Sequence, residues 1–227
     1  MPETNLRDAA ICHRPTCMRQ LEMQLVRIIV LDAMGVIYSV GKDDRDLLSP
    51  FVEEKGGTKD VSRIETLYNA TSLGCMSSAE FWEAVGLDPG LEDEYLQRYG
   101  LTDGLITFLE TVNSQGYEVW CLSNDISEWS KKLRGRFGLN KYVRGFVISG
   151  DVGARKPEQT IFDHLINQLT ASPHEAVFVD DQRKNLDVAA ALGFSTILFT
   201  PAGHGSTAEQ HIVATSFADV LRWLHSR

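Results

Sequence analysis

Asp32 closes the apolar run Val26-Arg27-Ile28-Ile29-Val30-Leu31, and the chain turns at Gly35 just beyond it. A carboxylate placed there can serve as a nucleophile, as a metal ligand, or only as a helix cap. Three further apolar runs end in polar residues in the same manner. Glu118-Val119-Trp120-Cys121-Leu122 leads into Ser123-Asn124-Asp125. Arg144-Gly145-Phe146-Val147-Ile148 leads through Ser149-Gly150-Asp151 to Lys156-Pro157, and Ala176-Val177-Phe178-Val179 leads into Asp180-Asp181. Taken singly, each has a plain reading as a cap or a solvated loop. Gathered on one rim, a carboxylate, a hydroxyl, an ammonium and a carboxylate pair make a site.

The elements that must gather them follow from periodicity. The apolar runs have no polar face, as expected of parallel strands covered on both sides. Between them lie segments of helical period, with Leu105, Phe108, Leu109 and Val112 in one and Ile161, Phe162, Leu165, Ile166 and Leu169 in another. Strand and helix alternate, which predicts an α/β fold, a Rossmann-like parallel sheet between two helical layers. Ligands of such sheets bind beyond the carboxyl ends of the strands. Residues 43–101 break the alternation with three apolar clusters: Leu47, Leu48, Phe51 and Val52; Val61, Ile64, Leu67 and Tyr68; Phe81, Trp82 and Val85. This stretch reads as a small helical bundle inserted into a core made of residues 25–42 and 102–227. Pro50 either starts a helix or kinks one. Ser77 with Glu80 three residues on has the form of a capping box. Tyr68 and Trp82 at helical spacing either fill a core or line a substrate cavity.

Order and spacing of the polar stations resemble those of the haloacid dehalogenase superfamily, most of whose members are Mg²⁺-dependent phosphatases. Asp32-Ala33-Met34-Gly35-Val36 is similar to the family's first motif except at its third position. Ser123-Asn124, Lys156-Pro157 and Asp180-Asp181 are similar to the second, third and fourth, and the likeness runs over residues 26–224. The resemblance implies that Asp32 is the nucleophile and that Mg²⁺ is held by Asp32, Asp181, the backbone carbonyl of Met34 and, directly or from behind, Asp180. It implies that Lys156 neutralises the transferring oxygens and that Ser123 and the backbone N–H of Asn124 bind another. Ala33 and Met34 complete the substrate contacts, and a helical cap over residues 43–101 closes the site and selects the substrate. Charge explains the metal: a carboxylate attacking a phosphoryl group needs a cation to suppress repulsion.

Met34 departs from the family's second aspartate. A thioether can neither protonate a leaving oxygen nor activate water, and such help is typically worth ~10²–10⁴-fold. Three outcomes follow: a cap residue or His204 does the work, the substrate has a leaving group that needs no proton, or the site binds a ligand and turns it over poorly. The dehalogenase subgroup, which displaces halide with a carboxylate and no metal, is the rival reading. Its first motif has tyrosine where this chain has Met34, and the acidic pair Asp180-Asp181 speaks against it. A ligand-binding or interaction protein on the same scaffold is a third reading.

Composition excludes other classes. Of the 227 residues 43% are hydrophobic and 23% charged, as in ordinary globular chains, and the net charge of −9 disfavours a nucleic-acid backbone as partner. Four cysteines, Cys12, Cys17, Cys75 and Cys121, fit a reducing cytoplasm rather than a disulfide framework. No run has membrane-spanning length and no apolar leader opens the chain, so a membrane partner is not expected. Residues 1–24 read as a flexible extension, in which Cys12, His13 and Cys17 fall short of a zinc set; Met18 or Met23 is an alternative start. The expected partner is a small phosphorylated molecule.

Overall fold

The structure, a computed structural model, describes residues 25–41, 44–201 and 210–227. The expected extension over residues 1–24, with Cys12, His13 and Cys17 and the alternative starts, lies outside them, as does His204. Six parallel strands form one sheet in the order β3-β2-β1-β4-β5-β6: β1 Ile28–Leu31, β2 Glu118–Ser123, β3 Gly145–Ile148, β4 Ala176–Asp180, β5 Ser195–Phe199 and β6 Ile212–Ala214. Every residue of β1 is buried, because helices cover both faces of this central strand. One layer holds α5 Leu105–Ser114, α6 Ser127–Arg136 and α10 Phe217–Leu224. The other holds α8 Gln159–Ile166 and α9 Arg183–Ala191, with the single turn α7 Ser149–Val152 beside β3. Phe108 stacks on Phe217 at 4.8 Å on the first face, and Phe162 meets Phe178 edge-on at 5.8 Å on the second.

The order of the strands reverses between β1 and β4, and that is where the sheet opens a crevice at its carboxyl end. Leu31 pairs with Cys121 on one side and Val179 on the other. The next residues along the three strands are therefore Asp32, Leu122 and Asp180, so the register alone sets two of the expected carboxylates side by side.

Between β1 and α5 the chain runs through a π-helical turn, Asp44–Leu48, and four helices: α1 Ser49–Glu54, α2 Val61–Thr71, α3 Ser78–Ala84 and α4 Glu92–Leu96. Pro50 sits in the first turn of α1, where its missing N–H costs nothing. Asp60 caps α2, and Ser77 and Glu80 form the expected capping box on α3, with Ser77 N–H donating to Glu80 Oε2 at 2.7 Å. Trp82 is fully buried among Phe51, Phe81, Tyr95 and Trp129, at centroid distances of 4.9–5.8 Å through the cluster. It is a core residue of the insert, whereas Tyr68 borders the cavity described below.

Trp129 belongs to α6, so this aromatic cluster joins the insert to the sheet's helical layer. Glu92 completes the seam. Its Oε2 accepts from the indole N–H of Trp82 at 3.2 Å and of Trp129 at 2.9 Å, and Lys132 of α6 pairs with its Oε1 at 2.8 Å. Arg136 donates to the carbonyls of Leu96 and Gln97 at 2.5 and 3.2 Å. Among the described residues no helix is long and apolar enough to cross a membrane.

Burial pushes the Glu92 carboxyl up, but its bonds with Lys132, Ser78 and Trp129 outweigh this and hold it below the ordinary 4.5. Glu92→Leu orphans two buried indole donors and should destabilise the protein by roughly 2–4 kcal/mol at pH 7 in urea unfolding. A carboxyl depressed by folding contributes its full stability above its unfolded value and loses it as the pH falls through the folded one. The gap between wild type and variant should therefore be widest above pH 4.5 and narrow as the pH falls further below it.

Candidate active site

Asp32 leaves β1 still tied to the sheet, its N–H donating to Val179 O at 2.9 Å. The chain then folds back on itself: Tyr38 N–H bonds Ala33 O at 2.8 Å and Gly35 N–H bonds Val40 O at 2.9 Å. Gly35 has φ +76°, and a Cβ there would lie 2.7 Å from Asp181 Oδ2. The glycine is required twice over, by the left-handed backbone and by the close approach of the acid. Asp32 Oδ1 accepts from the N–H of Ala33 at 2.6 Å and from Lys156 Nζ at 2.7 Å, which fixes the plane of the carboxylate.

Lys156 is buried and its Nζ reaches Asp180 Oδ2 at 2.8 Å as well. Asn124, at the end of β2, holds the lysine's backbone from both sides: its side-chain oxygen accepts from Lys156 N–H at 2.8 Å and its amide donates to Lys156 O at 2.9 Å. Asp180 is held in turn by Gln182 N–H at 2.7 Å and by the Asn185 amide at 3.1 and 3.0 Å to its two oxygens. Asp181 accepts from Gln182 Nε2 at 3.0 Å. Ser123 is fully buried at the end of β2, and among the described residues its hydroxyl has no hydrogen-bond partner.

Three carboxylates thus share one ammonium. Burial lowers the proton affinity of Lys156, but Asp180 and Asp32 outweigh it, and the lysine stays charged well above its ordinary range. The carboxylates are left short of positive charge. Burial, with repulsion from Asp180 and Asp181, raises Asp32 well above its ordinary value even with Lys156 beside it; burial and Asp180 push Asp181 up to about 6. One oxygen from each of Asp32, Asp180 and Asp181 lies within 4.8 Å of the others. Hard oxygen donors, a net excess of negative charge and a glycine kept bare beside Asp181 are the fit of a divalent cation such as Mg²⁺.

Asp32, Lys156 and Asp181 form the floor of a cavity of about 380 Å³, within the range of small-molecule sites. Asp32, Met34, Asn124, Lys156 and Asp181 line it, as the sequence expects; Asp180, Ser123 and Ala33 are not part of its lining. The insert and the loops add residues that the sequence did not single out: Asp44, Arg45 and Asn69 from the insert, Arg155 beside Lys156, and Gln182, Lys184 and Asn185 from the start of α9. Asp44 and Arg45 follow directly on the first motif's loop, a position that could have flagged them. The motif marks Asn124 but not the clamp its side-chain amide makes on Lys156, 32 residues on, and Asn185, five residues past its partner Asp180, reads as an ordinary helix position.

Residues 26–193 match the model of the haloacid dehalogenase-like hydrolases. A D-ribitol-5-phosphate phosphatase from Bacteroides thetaiotaomicron is 27% identical over 76% of this chain and 91% of its own length. Two further relatives are matched over only 46% and 54% of their length, so the chain spans about half of each. Among solved structures, a haloacid dehalogenase-type phosphatase from Thermococcus onnurineus superposes with a TM-score of 0.70 at 22% identity, covering 88% of this chain and 98% of that one. A family enzyme from Bacteroides thetaiotaomicron, solved with magnesium and inorganic phosphate, superposes at 0.66 and 20% identity over 81% of this chain and 98% of its own. At these identities the two structures establish the shared fold.

Gly35→Ala tests the geometry around Asp181. The left-handed backbone alone costs about 1–2 kcal/mol for a residue with a Cβ, and the new methyl must push the acid aside. Thermal unfolding should show that loss, and calorimetry should show Mg²⁺ binding weakened beyond what the loss of stability explains.

Proposed function

The chain belongs to the haloacid dehalogenase-like hydrolases, and we propose that within them it is a Mg²⁺-dependent phosphatase or phosphotransferase of small phosphorylated metabolites, working through a phosphoryl group carried on Asp32. One observation carries the reading: a cluster of three carboxylates, two buried and one half-buried, with the Lys156 ammonium among them at a small cavity. Asp32, Asp181 and the Met34 carbonyl, with Asp180 alongside, would hold the cation, which supplies the charge that lets an anionic oxygen approach phosphorus. Relatives that act on sugar and polyol phosphates support the substrate class.

The chain's own groups divide the remaining work. An Asp32 oxygen attacks phosphorus as the bond to the leaving oxygen breaks, and water later attacks the phosphorus of the aspartyl phosphate to regenerate Asp32 and release phosphate. Lys156 has three N–H donors; two are committed to Asp32 and Asp180, and the third serves a phosphoryl oxygen. The unpartnered hydroxyl of Ser123 and the backbone N–H of Asn124 serve another. A metal-free displacement of halide would leave the excess charge on Asp180 and Asp181 uncompensated, which disfavours the dehalogenase reading.

Met34 lines the cavity and carries no proton. Departure therefore depends on the leaving group's own acidity, unless another cavity residue helps; among the described residues Asp44 is the one lining carboxyl outside the three-acid cluster. Asp32→Asn should abolish turnover with an unchanged circular dichroism spectrum, and Asp181→Ala should weaken Mg²⁺ binding in calorimetry. Acetyl phosphate and nitrophenyl phosphate should be cleaved well ahead of alkyl phosphates, and Met34→Asp should raise alkyl phosphate turnover by up to ~10²-fold. Equal single-turnover rates for aryl and alkyl esters in the wild type would show that a proton donor is already in place and direct attention to Asp44.

A further inference from the structure

Lys156 is spent on the carboxylates, yet the residue before it brings a second cation to the same cavity. Arg155 is half-buried and lines the cavity beside Tyr68 and Asn69. Its Nη1 donates to the hydroxyl of Ser72, and its guanidinium lies 5.8 Å from the centroid of the Tyr68 ring. Ser72, just past the end of α2, is itself fully buried, and its carbonyl accepts from Ser149 Oγ at 2.5 Å. The root of Arg155 is fixed by the Asn124 clamp on its neighbour Lys156. Its head is fixed by the insert.

What the arginine lacks is a counter-ion. Arg45 is paired with Glu65 and Arg98 with Glu54, but among the described residues no carboxylate comes within ion-pairing distance of Arg155. Lys184, which also lines the cavity, has no such partner among the described residues either. A rigidly held guanidinium that faces a cavity and is left uncompensated has the geometry and charge to take two oxygens of an anion. The transferring phosphoryl group is already provided for at the acidic floor, so that anion must be a different one.

Resting on the phosphatase reading above, we propose that Arg155 is a specificity residue that binds a second anionic group of the substrate, remote from the transferring phosphoryl. The substrates are then phosphate esters whose far end carries a carboxylate or another phosphate, in preference to esters with a neutral tail.

Non-hydrolysable probes test binding without calling on turnover. With Mg²⁺ present and the full chain in the calorimeter cell, propylphosphonate is compared with 3-phosphonopropionate and with propane-1,3-bisphosphonate; the last two separate a carboxylate from a second phosphate. At least one of the doubly anionic probes should bind at least about 10-fold tighter than propylphosphonate. Arg155→Gln, which removes the charge, should collapse that preference to within about twofold, and Arg155→Lys, which keeps the charge but loses the planar fork, should retain only part of it. Equal binding of the three probes by the wild type overturns the proposal. So does an Arg155→Gln protein that weakens all three in proportion, since that is the signature of a merely structural tie between insert and core. A wild type that shows the preference but hydrolyses no phosphate ester leaves the subsite standing and refutes the phosphatase reading. Ester turnover without any preference does the reverse, and no binding of any probe refutes both.

Discussion

The ammonium of Lys156, buried between Asp32 and Asp180 at 2.7 and 2.8 Å, is the contact on which the rest of the site depends. A lone charge in that position would be expelled or neutralised; a lone pair of carboxylates would repel. Together they can remain, provided that every other polar neighbour is placed to serve them. Asn124 keeps the lysine's backbone still, Asn185 and Gln182 satisfy the oxygens of Asp180, and the Ala33 N–H orients Asp32. Strand register supplies the first approximation by setting Asp32 next to Asp180, and these side-chain bonds refine it. The balance is deliberately incomplete in sign, with Asp181 added to a set that one ammonium does not neutralise.

The sheet supplies the chemistry and the insert supplies the enclosure. Most of the cavity wall comes from strand ends, their loops and the start of α9, and Asp44, Arg45, Tyr68 and Asn69 of the insert complete it. Their relative placement is maintained away from the cavity, along α6, where Glu92 collects two indoles and a lysine, and at Ser149, which reaches the carbonyl of Ser72. Gly74 would place a Cβ 2.6 Å from the carbonyl of Gly150, so the two parts also touch backbone to backbone there. Arg155 joins both halves, since it leaves the chain beside Lys156 and ends on the insert.

Much of this was legible in the residues themselves. Buried parallel strands have no polar face, so β1, β2, β3 and β4 stand out as apolar runs, and their polar ends identify Asp32, Ser123, Asn124, Lys156, Asp180 and Asp181 without any coordinates. The start of α3 was legible because a capping box is local. Other features were not. The strand Ser195–Phe199 ends in no reactive residue, and Ile212–Ala214 is a short edge strand. Helical spacing did not separate Trp82, which fills the insert's core, from Tyr68, which borders the cavity, because both face inward from helices of one bundle. The roles of Asn124, Asn185 and Arg155 are set by partners 32, 5 and 83 residues away. A short-range pattern carries no information about the first and third, and it reads the second as an unremarkable position in a helix.

The π-helical turn Asp44–Leu48 runs straight into α1, and the Ser49 hydroxyl takes the Asp44 carbonyl at 2.7 Å. A π turn is an α turn with one residue added. The wider winding absorbs that residue locally, so loss of a single codon there would restore ordinary helical winding and leave the helix that follows in register. The change would fall on the turn that puts Asp44 and Arg45 in the cavity wall and not on the sheet and its carboxylates. A change of length at this one turn therefore alters the cavity lining over the same reactive floor, without any substitution in the residues that do the chemistry.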